Sequence, residues 1–334
     1  MRFKLTEDIT AENTLSELVR WYYTVVAPQT LKEHTIYNNR NLLQIYVLPY
    51  IGEMRLCDIS VIRLDNLFAA LITEGALTKG RRLSSATIRQ IRMALSAVFT
   101  TAVRKGILIK NPVTDATKIR MEPKERLFLD LDNCRQVIRM CDRLSNEQVG
   151  RAIKLLLFTG LRRGELIGLY WDDIDFDKAE LTVRRTLYRI GKENVLDSPK
   201  TPSSHRVVPL NSMSLLILKE QKQEVEQLRK AAGRDWIATR SVFTGRKGGF
   251  MSGDYLNNCF REMMKSAGMP GLHIHDLRHA NASILINEGV PMKIVSEHLG
   301  HTSSKVTEDF YTHLFAGSRR ITASVIDEAL LAHR

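Results

Sequence analysis

An arginine-rich turn is the first segment whose residue types could do chemistry. In residues 159–166, TGLRRGEL, an apolar helix reaches a glycine turn, and a new helix then starts with Arg162 and Arg163. The N–H groups at a helix start and the arginine side chains together favour the binding of an anion. Glu165 lies three residues after Arg162 on the same helical face, so it can hold the Arg162 guanidinium in one orientation. The alternative interpretation is a basic turn that contacts only solvent.

Two segments further along the chain carry histidine, arginine and tyrosine. In HDLRH, His275 and Arg278 share a helical face, and a titratable imidazole beside a fixed cation suits proton transfer next to a phosphate. Gly300 fits the end of a helix, which places His301 on an exposed turn. Tyr311 follows ten residues later in FYTH, although a tyrosine among aliphatic residues usually belongs to a core. Each of these signals is weak when it is taken alone.

A basic loop lies between two segments that have the composition of strands. Residues 199–206, PKTPSSHR, predict a hairpin with Lys200 at or near its turn. The alternative interpretation is a surface loop with a solvated lysine.

The sequence lacks the usual motifs for metals and nucleotide cofactors. His273, His275 and His279 resemble a metal cluster, but zinc sites of this kind usually recruit a further cysteine or carboxylate. The chain has no GxxxxGK(S/T) phosphate loop, no HExxH and no GxSxG. We therefore expect neither a metal nor a cofactor.

The spacing of apolar residues predicts four helices in residues 1–111. We expect them at residues 14–27, at residues 31–48 with an end at Pro49 and Gly52, after an N-cap at Ser60, and after Ser84 or Ser85. Arg89 and Arg92 lie off the apolar stripe of the fourth helix. They therefore project either to solvent or to phosphate.

A polar segment without periodicity follows, and we expect it to connect two domains. Residues 112–126 hold two prolines and are the best candidate for a linker. Residues 127–334 begin as helices, contain strand-like segments within 173–210, and are helical again from Gly253. The predicted fold class is therefore mainly α with a small antiparallel β-sheet in the second domain. The end of the chain, residues 318–334, has the apolar stripe of an amphipathic helix.

The composition is that of a globular chain with a polyanionic partner. The 334 residues suffice for two domains, and the net charge of +12 is shared about equally between residues 1–110 and the remainder. The four cysteines stand far apart without a CxxC pair, which excludes a disulfide framework and favours a reducing compartment. The N-terminus has no apolar signal region, and the chain has no run of about 18 apolar residues. We therefore expect a cytoplasmic protein with no membrane partner.

Taken in order, the motifs resemble the signature of one family. TGLRRGEL, PKT with RVVPL, HDLRH, LGH and FYTH are similar to the boxes of the tyrosine site-specific recombinases, the phage integrase family, from about residue 126 to residue 316. Residues 11–111 resemble the helical core-binding domain of that family. The resemblance is closest to the integrases of phages and of conjugative or transposable elements.

The resemblance assigns a role to each matching residue. It implies Tyr311 as the nucleophile, Arg162 and Arg278 as the arginines on the scissile phosphate, Lys200 as the acid for the leaving 5′-oxygen, His275 as the general base, His301 as the second histidine near the phosphate, and Glu165 as the acidic residue behind them.

The resemblance also implies an architecture and a set of partners. The two domains form a clamp on double-stranded DNA, and the reaction passes through a 3′-phosphotyrosine without metal or ATP. Protomers assemble into a tetramer through residues 318–334, and an excisionase or a DNA-bending protein is a further expected partner. Arg89 and Arg92 are the expected groove or backbone contacts, and the location is the cytoplasm, in association with the nucleoid.

Two other functions fit the same motifs. A DNA-binding protein on this fold that no longer cuts is disfavoured because all the active-site positions are intact. A type IB topoisomerase uses similar chemistry as a monomer, but the end helix and the two-domain length favour a recombinase. The predicted core-binding helices begin near residue 11, so the arm-binding domain that many integrases carry is not expected. A short integrase and a chain without its original start both remain open.

Overall fold

Two compact units divide the chain at the bond between Glu125 and Arg126. The structure is a computed structural model that describes residues 8–75, 82–120, 129–197 and 205–300. The predicted residues Lys200, His301 and Tyr311, and the predicted end helix, lie outside the described residues. No helix in these described ranges is long and apolar enough to cross a membrane.

The first unit is helical. Its helices are α1 (Leu15–Trp21), α2 (Glu33–Tyr46), α3 (Leu48–Ile51), α4 (Val61–Thr73), α5 (Ser85–Arg104) and α6 (Pro112–Asp115). Ser60 and Ser84 cap α4 and α5 through their side-chain oxygens, as the sequence predicts. The apolar stripes of both helices are buried in one core, which confirms the helical spacing.

Two predicted helices of this unit differ in detail from those in the structure. The α-helix that was expected to reach residue 27 ends at Trp21 and continues as a π-helical turn over Tyr22–Val26. This wider turn coincides with the burial of two consecutive tyrosines, Tyr22 and Tyr23. Pro49 does not follow the end of α2 directly but lies in the first turn of α3, where its missing N–H costs no intrahelical bond.

The start of the predicted linker belongs to the first unit. Val113 and Ala116 are buried in the helical core, and Ile119 packs against it. Asp65 of α4 accepts hydrogen bonds from the N–H of Thr117 at 2.7 Å and from its hydroxyl at 3.1 Å. Apolar side chains and a carboxylate therefore hold residues 112–120, in place of the solvated connection that their polar composition predicts.

Arg92 holds this segment from the other side. Its guanidinium donates to the carbonyl of Val113 at 2.9 Å and also to those of Ala116 and Thr117. The structure therefore corrects the prediction that Arg92 projects to solvent or phosphate. Arg89, one turn earlier, is exposed.

The second unit combines helices with two small antiparallel sheets, which confirms the predicted fold class. Its helices are α7 (Leu131–Cys141), α8 (Glu147–Thr159), α9 (Arg163–Ile167), α10 (Ser212–Ala232), α11 (Gly253–Ser266), α12 (Asp276–Asn287) and α13 (Met292–Leu299). Its strands are β1 (Ile174–Asp175), β2 (Glu180–Val183), β3 (Thr186–Ile190), β4 (Glu193–Asp197) and β5 (Arg206–Pro209). One core joins α7, α8, α10, α11 and the strands, and it includes Cys134 and Cys141 as small apolar side chains.

The strands that flank residues 198–204 do not pair with each other in one sheet. Strands β3 and β4 form their own two-stranded hairpin, whereas β5 pairs with β2 in a three-stranded sheet of order β1-β2-β5. The described strands on either side of residues 198–204, β4 and β5, therefore belong to two different sheets, and the predicted turn at Lys200 lies outside the described residues. The alternation of apolar residues identified the strands but could not identify their partners.

We expect Arg92 to stabilise the first unit and Arg89 to contribute little. Arg92→Met removes the donors for three carbonyls and should lower the free energy of unfolding by about 1–3 kcal/mol. Arg89→Met, the matched change on the same helix, should alter it by less than about 0.5 kcal/mol. Urea denaturation of the full chain, followed by circular dichroism, measures both values. Equal effects of the two substitutions would contradict the assignment.

Candidate active site

The predicted contact between Arg162 and Glu165 is present at the start of α9. Arg162 is the N-cap residue of this helix, and its N–H donates to Glu165 Oε2 at 2.9 Å. Its Nη1 donates to Glu165 Oε1 at 2.8 Å. The carboxylate therefore fixes both the backbone and the side chain of Arg162, as the spacing of three residues predicts. The Arg162 side chain keeps 36% of its surface exposed, which leaves one side of it open.

A close approach of backbone to backbone places this turn. Gly164 lies against β3, and a Cβ at this position would stand 2.7 Å from Thr186 Cγ2 and 2.9 Å from the carbonyl oxygen of Leu187. Only a glycine permits such contacts, because neither the strand backbone nor the helix can move aside easily. The glycine in RRGE therefore holds Arg162 and Glu165 directly against the hairpin of β3 and β4.

Arg206 occupies the other side of Glu165. Its Nη1 donates to Oε1 at 3.2 Å and its Nη2 donates to Oε2 at 3.0 Å. The Arg206 side chain is 6% exposed and the Glu165 side chain 2%. Burial alone would raise the pKa of Glu165, but the charges and hydrogen bonds of Arg206 and Arg162 outweigh it and lower the pKa. Glu165 is therefore ionised, and each of its oxygens accepts two hydrogen bonds.

Arg206 is not among the site residues that the sequence predicts. In the sequence, Arg206 is the first residue of a strand-like segment. A single arginine before an apolar run does not by itself indicate a functional role. The contact that reveals its role joins residues that are 41 positions apart.

Arg278 is almost completely buried, with 2% of its surface exposed. It donates from Nη1 to the carbonyl of Gly160 at 2.6 Å and from Nη2 to the carbonyl of Leu299. These carbonyls lie at the ends of α8 and α13, where backbone oxygens lack helical partners and the helix dipole is negative. Two helix ends therefore orient the guanidinium.

Three arginines bind three consecutive carbonyls at the end of α13. The carbonyl of His298 accepts from Arg206 Nε at 2.6 Å, that of Leu299 accepts from Arg278, and that of Gly300 accepts from Arg162 Nη2 at 3.1 Å. We call Arg162, Arg206 and Arg278 the arginine centre.

Gly300 ends α13 in the left-handed conformation, with φ +65°, which a residue with a side chain rarely adopts. The predicted helix end at Gly300 is thus confirmed. In the sequence, His301 is the next residue after Gly300.

His275 lies beside this centre, at the residue before α12 begins. It keeps an exposed edge, and its ring meets that of His279 edge-on, with centroids 5.0 Å apart. The pKa of His275 is lowered from its usual 6.5, first by loss of solvation and then by the positive charges of Arg278 and Arg162. His275 is therefore neutral at neutral pH and able to accept a proton.

His298, in the last turn of α13, is a second neutral histidine that the sequence analysis did not identify. Loss of solvation and the charges of Arg206 and Arg278 lower its pKa to about 4. Its Nε2 is buried and makes no hydrogen bond among the described residues.

The structure thus brings together four of the predicted residues, Arg162, Glu165, His275 and Arg278. Lys200, His301 and Tyr311 lie outside the described residues. Within the described part of the chain, no three histidine, cysteine or acidic side chains form a group that could hold a metal ion.

Comparisons with known proteins identify the family to which the chain belongs. Residues 128–317 match the Phage integrase family, and residues 14–71 match the Phage integrase, N-terminal SAM-like domain. The chain belongs to the phage integrase family. The family match and the names of its relatives support tyrosine recombinase activity.

Several relatives and solved structures resemble this integrase over most of its length. The tyrosine recombinase XerC-like protein of Caldanaerobacter subterraneus subsp. tengcongensis is 29% identical over 83% of this chain and 73% of its own. The ICEBs1 integrase of Bacillus subtilis is 28% identical over 74% of this chain and 67% of its own. The fold matches that of the Tn1549 transposon integrase in complex with a circular intermediate DNA, with TM-score 0.77 and 21% identity over 94% of this chain and 99% of that one. A lambda integrase tetramer bound to a Holliday junction matches with TM-score 0.64 and 20% identity, over 90% of this chain and 77% of that one.

We expect His298 to make the integrase less stable as the pH falls. The unfolded chain binds a proton at His298 below about pH 6.5, whereas the folded chain does so only near pH 4. The free energy of unfolding should therefore fall between these values, by at most about 3 kcal/mol more in the wild type than in His298→Gln. Chemical denaturation at several pH values measures this difference, with His205→Gln as the control for an exposed histidine of the same unit. Parallel pH profiles of the wild type and His298→Gln would contradict it.

Proposed function

We propose that this integrase cuts and rejoins DNA strands through a 3′-phosphotyrosine intermediate at Tyr311 and thereby integrates or excises a mobile element. The observation that carries the proposal is the arginine centre, in which two guanidinium groups bind the carboxylate of Glu165 and the third, that of Arg278, binds only backbone carbonyls. The excess of positive charge suits a phosphodiester, because its transition state gathers negative charge. The side chains of Arg162 and of the neutral His275 are exposed to solvent, so a phosphate of the DNA can reach them.

The proposed reaction needs no external energy source such as ATP. The phenolic oxygen of Tyr311 attacks the scissile phosphorus, and the bond from phosphorus to the 5′-oxygen breaks. The phenolic proton passes to His275, and Lys200 donates a proton to the leaving 5′-oxygen. The phosphotyrosine ester preserves the bond energy, so a second 5′-hydroxyl can reverse the step without ATP or a metal.

The arginines and the second histidine have separate tasks in this proposal. Arg162 and Arg278 bind the non-bridging oxygens of the phosphate, and His301 lies beside them. Glu165 holds Arg162 but does not contact DNA. Preorganised donors of this kind act without reorganisation at the moment of reaction.

We further propose that both domains bind double-stranded DNA. The first is the core-binding domain, which comprises residues 1–111 and the helical segment that follows them. The second is the catalytic domain, residues 127–334. Exposed Arg89 of α5 is the proposed backbone or groove contact in the first domain. The lambda integrase tetramer on a Holliday junction supports assembly of four protomers, for which residues 318–334 are the proposed contact. An excisionase or DNA-bending protein and a cytoplasmic, nucleoid-associated location belong to the same proposal.

The role in a mobile element is supported by the kinds of protein that match. They include the ICEBs1 integrase, an integrase of Staphylococcus phage L54a and a transposon integrase.

A covalent trap tests the nucleophile. The substrate is a nicked duplex with the sequence of the element end that adjoins the gene, incubated with the protein in EDTA. The wild type should give a slowly migrating protein–DNA band on a denaturing gel, and Tyr311→Phe should give none while still binding the duplex. Tyr255→Phe, which changes an exposed tyrosine of the same unit, should cut like the wild type.

Each other result of the trap has a definite meaning. A band from Tyr311→Phe would move the nucleophile to another residue. Binding without a band in the wild type would favour a DNA-binding protein that no longer cuts. Relaxation of supercoiled plasmids of any sequence would favour a type IB topoisomerase.

A further inference from the structure

We propose that Arg206 is a positioning residue for DNA strand cleavage: it acts through Glu165 on Arg162 and holds the end of α13, to which Arg162 and Arg278 also bind. The inference rests on the proposed function, since it assigns to Arg206 a part in that reaction. Arg206 does not belong to the residues that contact the phosphate in the proposed mechanism.

Arg162 and Arg206 share one buried carboxylate, that of Glu165. Arg206 supplies two of the four hydrogen bonds that Glu165 accepts, and Arg162 supplies the other two. Glu165 can therefore hold Arg162 only while Arg206 compensates its burial. Without Arg206, a carboxylate that is 2% exposed would lose half of its donors, and burial would then favour its protonated form.

The backbone of Arg206 is held in a fixed position by the sheet. Arg206 is the first residue of β5 and pairs with Val183 of β2, so the sheet fixes its backbone. Its side chain reaches Glu165 at the start of α9 and the carbonyl of His298 in the last turn of α13. One side chain thus joins three chain segments that are distant in sequence.

The segments that Arg206 joins stand close in the sequence to proposed catalytic residues. Lys200 stands six residues before Arg206, and His301 stands three residues after His298. Glu165 connects the same side chain to Arg162. Among the described residues, Arg206 therefore contacts both Glu165, which holds Arg162, and the helix end that precedes His301 in the sequence.

The geometry requires arginine and not merely a positive charge. The planar guanidinium binds both oxygens of Glu165 with its two Nη atoms and directs Nε to the His298 carbonyl. A lysine ammonium is a single point and cannot make this fork with the same geometry. Arg206→Lys therefore keeps the charge but loses the arrangement.

The test is single-turnover cleavage of the nicked duplex. The variants are Arg206→Lys, Glu165→Gln and the double variant. We expect Arg206→Lys to slow cleavage by about 10- to 100-fold, because it misplaces Arg162, while the Kd for the duplex changes by less than about threefold. The double variant should be no slower than the slower single variant, because both changes break the same connection.

The pH dependence of cleavage gives a readout that a loss of stability would not move. In Arg206→Met the acid limb of the rate should lie at higher pH than in the wild type, because burial of Glu165 is no longer compensated. Arg185→Lys is the matched control, since Arg185 pairs with the buried Asp173 elsewhere in the same unit. It should cleave at the wild-type rate. All rates are measured well below the melting temperature of each variant.

The possible outcomes separate this inference from the proposed function. Wild-type speed in Arg206→Lys, with a normal covalent band, would overturn the inference and leave the proposed function intact. Additive losses in the double variant, or a fall in DNA affinity that matches the fall in rate, would also overturn it. A wild type that forms no covalent band would overturn both. If Arg206→Lys does not fold, Glu165→Gln decides alone, because unchanged cleavage there would remove the connection to Arg162.

Discussion

The burial of Glu165 is the constraint on which the second unit depends. A carboxylate with 2% of its side chain exposed needs partners for its charge and for its lone pairs. Those partners come from its own helix start, Arg162, and from the sheet, Arg206. Breaking such a pair typically costs about 3–5 kcal/mol, because it leaves an uncompensated buried charge. The start of α9 and the start of β5 must therefore meet in the folded chain, and the two hydrogen bonds from Arg206 to Glu165 join them.

Carbonyl oxygens orient the arginine centre without neutralising it. A carboxylate on every arginine would fix the guanidinium groups equally well but would cancel the charge that a phosphate needs. The ends of α8 and α13 instead offer backbone oxygens with partial negative charge, and Arg278 binds both. Burial in this arrangement lowers the pKa of His275 and of His298, and the positive charges of the arginines lower it further, because protonation would add another positive charge beside them. Positive potential and neutral histidines are thus two results of one arrangement.

Local signals in the sequence predicted local structure well. The serines that cap α4 and α5, and the spacing between Arg162 and Glu165, act within a few residues and were predicted correctly. Arg206 could not be found in this way, since its partners lie 41 and 92 residues away. Arg92 shows the complementary failure. A position off the apolar stripe predicts a side chain outside the core, but it does not tell whether backbone carbonyls cover that side chain.

The shared helix end explains why these residues must act as a unit. The carbonyls of His298, Leu299 and Gly300 belong to one turn of backbone, and each binds a different arginine. A displacement of that turn moves all three guanidinium groups together, and the loss of one arginine frees the turn that holds the other two. Residues coupled in this way give non-additive losses when they are removed. The chain also continues from this turn into the segment that carries His301 and Tyr311. The same three peptide groups therefore align all three arginines, and they stand directly before His301 in the sequence.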